Sequence, residues 1–135
     1  MADISQTPAN VKSGSGAITY LVKAGEAITQ GQPVYLSITD GKYYQADAND
    51  SAKYNATAVA LTPATTNEYF LIQTAGQMVL GATLTTGSIY VVSGNVGAIA
   101  PVADIASTWY PCIVGISITT SIVILVFKAG TAARP

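Results

Sequence analysis

Side chains that could do chemistry are sparse in this chain. It has no histidine and a single cysteine, Cys112. The commonest general base and the commonest nitrogen ligand for metals are therefore both missing. A lone thiol without an imidazole cannot form a cysteine–histidine nucleophilic pair. One cysteine cannot build a thiolate zinc site or close an internal disulfide. Cys112 is followed by Ile113 and Val114, so it is expected to be a buried small hydrophobe. The carboxylates are Asp3, Glu26, Asp40, Asp47, Asp50, Glu68 and Asp104. Asp47-Ala-Asn49-Asp50 resembles a calcium loop only superficially. It lacks the alternating ligands, central glycine and terminal glutamate of an EF-hand, and reads as a solvated loop. Neither a G-x-x-x-x-G-K-[ST] phosphate loop nor a G-x-G-x-x-G fingerprint occurs. These residue types point away from an enzyme, with no catalytic, cofactor-binding or metal site expected.

Aromatic side chains offer a second kind of chemistry. Tyr43-Tyr44 and Trp109-Tyr110 are adjacent pairs, and on a strand one ring of each pair faces outward. Tyr43, Trp109 and Tyr110 are therefore candidate contacts for a sugar or a protein partner; the plainer reading is half-buried strand residues. Basic residues do not interleave with them, which argues against stacking on single-stranded nucleic acid.

The elements that must position these groups come from a charge-poor chain. Half of the 135 residues are hydrophobic and only 10% are charged, against about 25% in a typical soluble domain. A neutral surface of this kind loses little by desolvation when another protein covers it. The lysines are scattered over Lys12, Lys23, Lys42, Lys53 and Lys128, and the net charge is −1, so the basic footprint of a nucleic-acid binder is missing. The first residues lack the pattern of a signal peptide. The longest apolar run, Ile122 to Phe127, falls far short of the ~20 residues that span a bilayer. A soluble protein made in a cytosol is expected, with no membrane and no nucleic-acid partner.

Three stretches organise the chain. Residues 1–16 hold Pro8, Gly14 and Gly16 among small polar residues and read as a flexible arm. Residues 17–130 read as one β domain, and 131–135 as a short tail. Gly25, Gly31, Asp40-Gly41, Gly76, Gly81, Gly87 and Gly97 punctuate runs rich in Val, Ile, Thr and Tyr, the pattern of many short strands. Asp40-Gly41 predicts a hairpin. Pro33 and Pro101 predict strand starts or edges. Residues 45–53 could hold one helical turn at most.

The body repeats itself. Ala24-Gly25, Ala75-Gly76 and Ala129-Gly130 each end an apolar run, at intervals of about fifty residues. Gly25-Glu-Ala-Ile28-Thr29-Gln-Gly31 matches Gly81-Ala-Thr-Leu84-Thr85-Thr-Gly87, and each is followed by a strand containing tyrosine. Ala46-Asp47 and Ala103-Asp104 come next, then Ala58-Val-Ala-Leu61 and Gly115-Ile-Ser-Ile118. Two related units of about fifty residues follow, roughly 17–76 and 77–130, too few for a solenoid. The expected fold is all-β, a small barrel or β-clip-like sandwich with a flexible N-terminal arm. The strand Ile122 to Phe127 has no polar face, so it must be covered on both sides, as a central strand or as a subunit contact.

Two runs carry a family resemblance: Ala24-Gly-Glu-Ala-Ile-Thr-Gln-Gly-Gln-Pro-Val-Tyr-Leu36 with Asp40-Gly-Lys-Tyr-Tyr-Gln-Ala-Asp47, and Gly81-Ala-Thr-Leu-Thr-Thr-Gly-Ser-Ile-Tyr-Val-Val92 with Gly97-Ala-Ile-Ala-Pro-Val-Ala-Asp104. Together with Ala58-Val-Ala-Leu61, this pattern resembles the capsid decoration, or cement, proteins of tailed bacteriophages. It covers roughly residues 20–130. Where the family pattern has glycine, this chain has Ala58. The resemblance implies a β-rich fold, a virion protein made in the host bacterial cytoplasm, and binding to major capsid protein on the outer capsid surface. It also implies self-association, commonly as a homotrimer. On that reading the arm orders on contact and adds a strand to a sheet edge, with Ala2, Asp3, Ile4, Ser5, Gln6, Thr7, Pro8 and Val11 as partner-binding residues. The alternative is a glycan- or protein-binding module of a head or tail fibre, using Tyr43, Tyr44, Trp109 and Tyr110.

Overall fold

A computed structural model describes residues 3–131. Ten antiparallel strands make the fold: β1 (Lys12–Ser13), β2 (Ile18–Lys23), β3 (Pro33–Leu36), β4 (Tyr43–Gln45), β5 (Ala58–Ala60), β6 (Tyr69–Val79), β7 (Ile89–Val92), β8 (Ile99–Pro101), β9 (Cys112–Ser117) and β10 (Ile122–Ala129). The only helical segments among the described residues are two single 3-10 turns, Pro8–Asn10 and Val102–Asp104. The fold is all-β, as the turn spacing predicts. Pro33 opens β3 and Pro101 ends the edge strand β8, positions where a missing N–H costs no ladder bond. Residues 48–53 form turns rather than a helix. The Asp47 and Asp50 carboxylates accept from the amides of Asn49 and Ala52 two residues on, the local bonding that favours turns.

The strands lie in the order β4-β3-β5-β6-β10-β9-β7-β8, with β1 and β2 along the other side of β6. This path contains one connectivity twice: β4-β3-β5-β6-β2, then β8-β7-β9-β10-β6. The eleven-residue β6 belongs to both units. Its first half pairs β2 and β5, and its second half pairs β1 and β10. The turn chemistry repeats too. Gly31, at φ 88°, donates its N–H to the Ala60 carbonyl at 2.9 Å. Gly87, at φ 83°, donates to the Ser117 carbonyl at 2.8 Å. Positive φ favours glycine at both places.

β6 bends where it passes from one unit to the next. Gly76 lies at φ 86°, and a Cβ there would sit 2.3 Å from the Gly16 carbonyl oxygen. The buried Gln73 carboxamide donates to the Ala75 and Gln77 carbonyls at 3.0 and 2.7 Å. It thereby ties the carbonyls on either side of the bend to one side chain.

Two apolar clusters fill the interior. The smaller holds Ala24, Ile28, Val34, Ala58, Ala60, Phe70 and Ile72. The larger joins first-unit residues Ala46, Ala56 and Val59 to Met78, Leu80, Leu84, Ile99, Val114, Val123 and Leu125. β5 lies between them: Ala58 and Ala60 face one cluster and Val59 the other. That placement explains why a three-residue strand is buried along its whole length, and why small residues occupy it.

The arm departs from expectation. Residues 3–16 run docked along the body instead of hanging free. β1 pairs Lys12 with Val79 and Ser13 with Met78, and Gly14 donates to the Gln77 carbonyl at 2.8 Å. Val11 is buried in the larger cluster. Small polar residues make this segment look unstructured, but what holds it is mainly backbone bonding, which leaves little trace in side-chain pattern.

Candidate interaction surfaces

The residues predicted to bind a partner from the arm form an internal strap. Ile4 donates its amide to the Ile99 carbonyl at 2.9 Å, and Thr7 donates to the Gly81 carbonyl at 2.7 Å. The Gln6 carboxamide donates to the carbonyls of Gly31 and Leu80, 3.0 Å each, tying the two units with one side chain. The Asp3 carboxylate accepts from the Ser93 hydroxyl and the Asn95 amide. Ser5 and Pro8 are exposed on the strap's outer side, and Val11 points into the core. Ala2 lies outside the described residues.

The strap occupies a definite place in the repeat. In the first unit the end of β2 closes onto β4 directly: Ala24 bridges Tyr43, and Gly25 donates to the Tyr43 carbonyl at 2.8 Å. In the second unit the corresponding gap, between Gly81 and β8, is spanned by Thr7 and Ile4. A Cβ on Gly81 would lie 2.5 Å from the Thr7 carbonyl oxygen, so the close approach requires glycine.

The predicted aromatics are engaged in packing. Tyr43 packs against the smaller cluster and Trp109 against the larger. The indole lies so close to Gly94 that a Cβ there would fall 2.2 Å from the ring. Tyr110 stacks on Tyr54, with ring centroids 4.9 Å apart. Tyr44 stacks on Tyr35 and donates its hydroxyl to Asp40. That bond, and then the Lys42 amide, hold the Asp40 carboxyl below its ordinary pKa. A groove of about 740 Å³ lies between the hairpin residues Leu36–Thr39 and the loop at 51–57, lined in part by Tyr35 and Tyr54, the stacking partners of Tyr44 and Tyr110. Cys112 is fully buried, as expected, and burial pushes its thiol up to about 11. Among the described residues no three metal-ligating side chains come together.

Uncovered apolar surface is the feature that the predicted residues did not include. β10 is a central strand, paired to β6 and β9. Its Val123 and Leu125 are buried, while Ile124 and Val126 are 37% and 44% exposed on the opposite face. Gln77, Ile124, Ile116 and Ile89 stand in register across four strands, with exposed Ile118 beside them. The doubly apolar run is thus central in its sheet and uncovered on one side. A second patch surrounds β2, where Ile18, Tyr20 and Leu21 are 48%, 56% and 65% exposed beside Tyr69 and Leu71. The sequence signal for the first patch was an apolar residue at every position from Ile122 to Phe127, where a solvated sheet face would alternate with polar ones; β2, with Thr19 and Lys23, alternates in part.

Compared with known families and with curated proteins, the chain matches no family model and no curated sequence.

Proposed function

We propose that this chain is a structural subunit of a tailed-phage virion that binds the outer surface of the assembled capsid and stabilises contacts between major capsid proteins. The observation that carries the reading is the exposed apolar patch on β9 and β10, formed by Ile116, Ile118, Ile124 and Val126. Contiguous apolar surface on a sheet marks a protein contact. The repeated connectivity and the tied strap make the body stiff, so docking costs little conformational entropy. In this reading the contact is the sheet face, and the strap stiffens the body behind it rather than reaching for the shell. The family resemblance supplies the partner's identity. Few charges take part, so binding depends weakly on salt. The test is co-sedimentation of the purified chain with expanded, DNA-free phage heads. Saturable binding that survives a rise from 0.1 to ~1 M salt supports the proposal, and failure to bind heads of any tailed phage of the source host overturns it.

A further inference from the structure

β2 pairs with β6 on one side, and among the described residues no strand pairs with its other side. The chain leaves this edge at Ala24, where it turns to bridge Tyr43. An open edge presents unpaired N–H and C=O groups, and folded proteins usually blunt it with charge, proline or a bulge. Here a register shift between Ile18 and Thr19 interrupts the start. From Thr19 to Val22 the edge carries no charge and no proline, and Lys23 comes only at its end. Exposed Leu21 stands between Thr19 and Lys23 on one face of the edge, and exposed Tyr20 stands beside part-buried Val22 on the other. Leu21 lies directly opposite Leu71, and Lys23 opposite Tyr69, on one face; Tyr20 lies on the other.

We propose that β2 is a self-association edge, on which a second copy of this chain adds its own β2 antiparallel across a two-fold axis. An antiparallel edge is its own complement, since the two-fold brings each copy's free donors to the other's free acceptors. No like charges meet when the pairing centres on Tyr20 or Leu21, because Lys23 then faces Ala17 or Thr19 of the other copy. Area sets the strength. Taking ~200 Å² for a fully exposed large side chain, Ile18, Tyr20, Leu21, Tyr69 and Leu71 expose roughly 550 Å² per copy. A standard interface uses about 800 Å² per partner. Edge pairing covers only part of that area, because Tyr69 and Leu71 stand on β6, one strand in from the edge, so the contact falls below that class and dimerisation depends on concentration. This two-fold pair replaces the three-fold arrangement that the family resemblance implies, and it concerns the free chain, independently of what the Ile124 face binds.

Sedimentation equilibrium of the full chain over a hundredfold concentration range tests it. The expected average mass rises from one copy toward two, and Leu21→Lys holds it at one copy across the range. Ile124→Lys, on the other patch, leaves the rise unchanged. Hydrogen exchange on the unmodified chain gives a readout that needs no variant: amides 19–23 become more protected as concentration rises. A constant monomer mass, a trimer, or a dimer lost in Ile124→Lys but kept in Leu21→Lys would each overturn the proposal.

Discussion

Ile4 holds the Ile99 carbonyl in the second unit as Gly25 holds the Tyr43 carbonyl in the first, at 2.9 and 2.8 Å. Two units of one connectivity are therefore finished differently, the first by its own chain and the second by the strap. The structural role of residues 3–11 follows from that equivalence.

Two glycines separate a seated strap from a loose one. Gly81 and Gly87 share a positive φ, 72° and 83°, but a Cβ on Gly87 meets nothing within 4 Å, whereas one on Gly81 meets the Thr7 carbonyl. Gly87→Ala should cost about 1–2 kcal/mol for the left-handed backbone alone. Gly81→Ala should cost clearly more, measured by urea unfolding. Equal costs would mean that the strap does not occupy this seat.

Deleting residues 1–11 should destabilise the body rather than release a free arm. Val11 alone fills buried volume in the larger cluster, and Val11→Ala should cost about 1–3 kcal/mol. Gln6→Ala, which loses two part-buried hydrogen bonds, should cost about 1–2 kcal/mol. Thermal unfolding of the three variants checks this; unchanged midpoints would contradict it.

Cys112 should resist thiol reagents in the native state. Its thiol is fully buried beside the Ala56 carbonyl and is raised to about 11 by that burial, so little thiolate exists at neutral pH. Labelling should become fast only when denaturant unfolds the chain. Rapid labelling of the native protein would show that the β9 region opens.

The hairpin carrying Ile38, which is 96% exposed, should loosen in acid. The Tyr44 hydroxyl and the Lys42 amide favour ionised Asp40 and lower its pKa. A carboxyl lowered in the folded state stabilises above its unfolded pKa, and that contribution fades as pH falls through the folded value. Amide exchange at residues 37–42 should therefore speed up below the ordinary carboxylate range, after correction for intrinsic rates. Asp40→Asn should flatten the change, and a profile identical in both proteins would contradict the assignment.

Much of the fold was legible because strands and turns write themselves locally. Gly31 and Gly87 mark equivalent turns, and Asp40-Gly41 marks its hairpin, since positive φ selects glycine within a few residues. The unbroken apolar run of β10 left a central strand and a subunit contact both open; its central place, and which face is covered, depended on packing that no local pattern encodes. The strap was not legible for a related reason. Its bonds run from Ile4 to Ile99 and from Gln6 to Leu80, across most of the chain, and except for the Gln6 carboxamide they draw largely on backbone groups that every residue carries. The aromatic pairs are half-buried, the plainer of their two readings, but Trp109 and Tyr110 lie in the loop before β9 rather than on a strand, and there Tyr110 stacks on Tyr54.

The most direct test of the account is binding to expanded phage heads by the native chain and by Ile124→Lys. Ile124 is 37% exposed, so lysine there should cost about 1 kcal/mol and leave the chain folded. The account predicts saturable binding by the native chain and at least a tenfold weaker affinity for the folded variant. Equal binding by both proteins would contradict it.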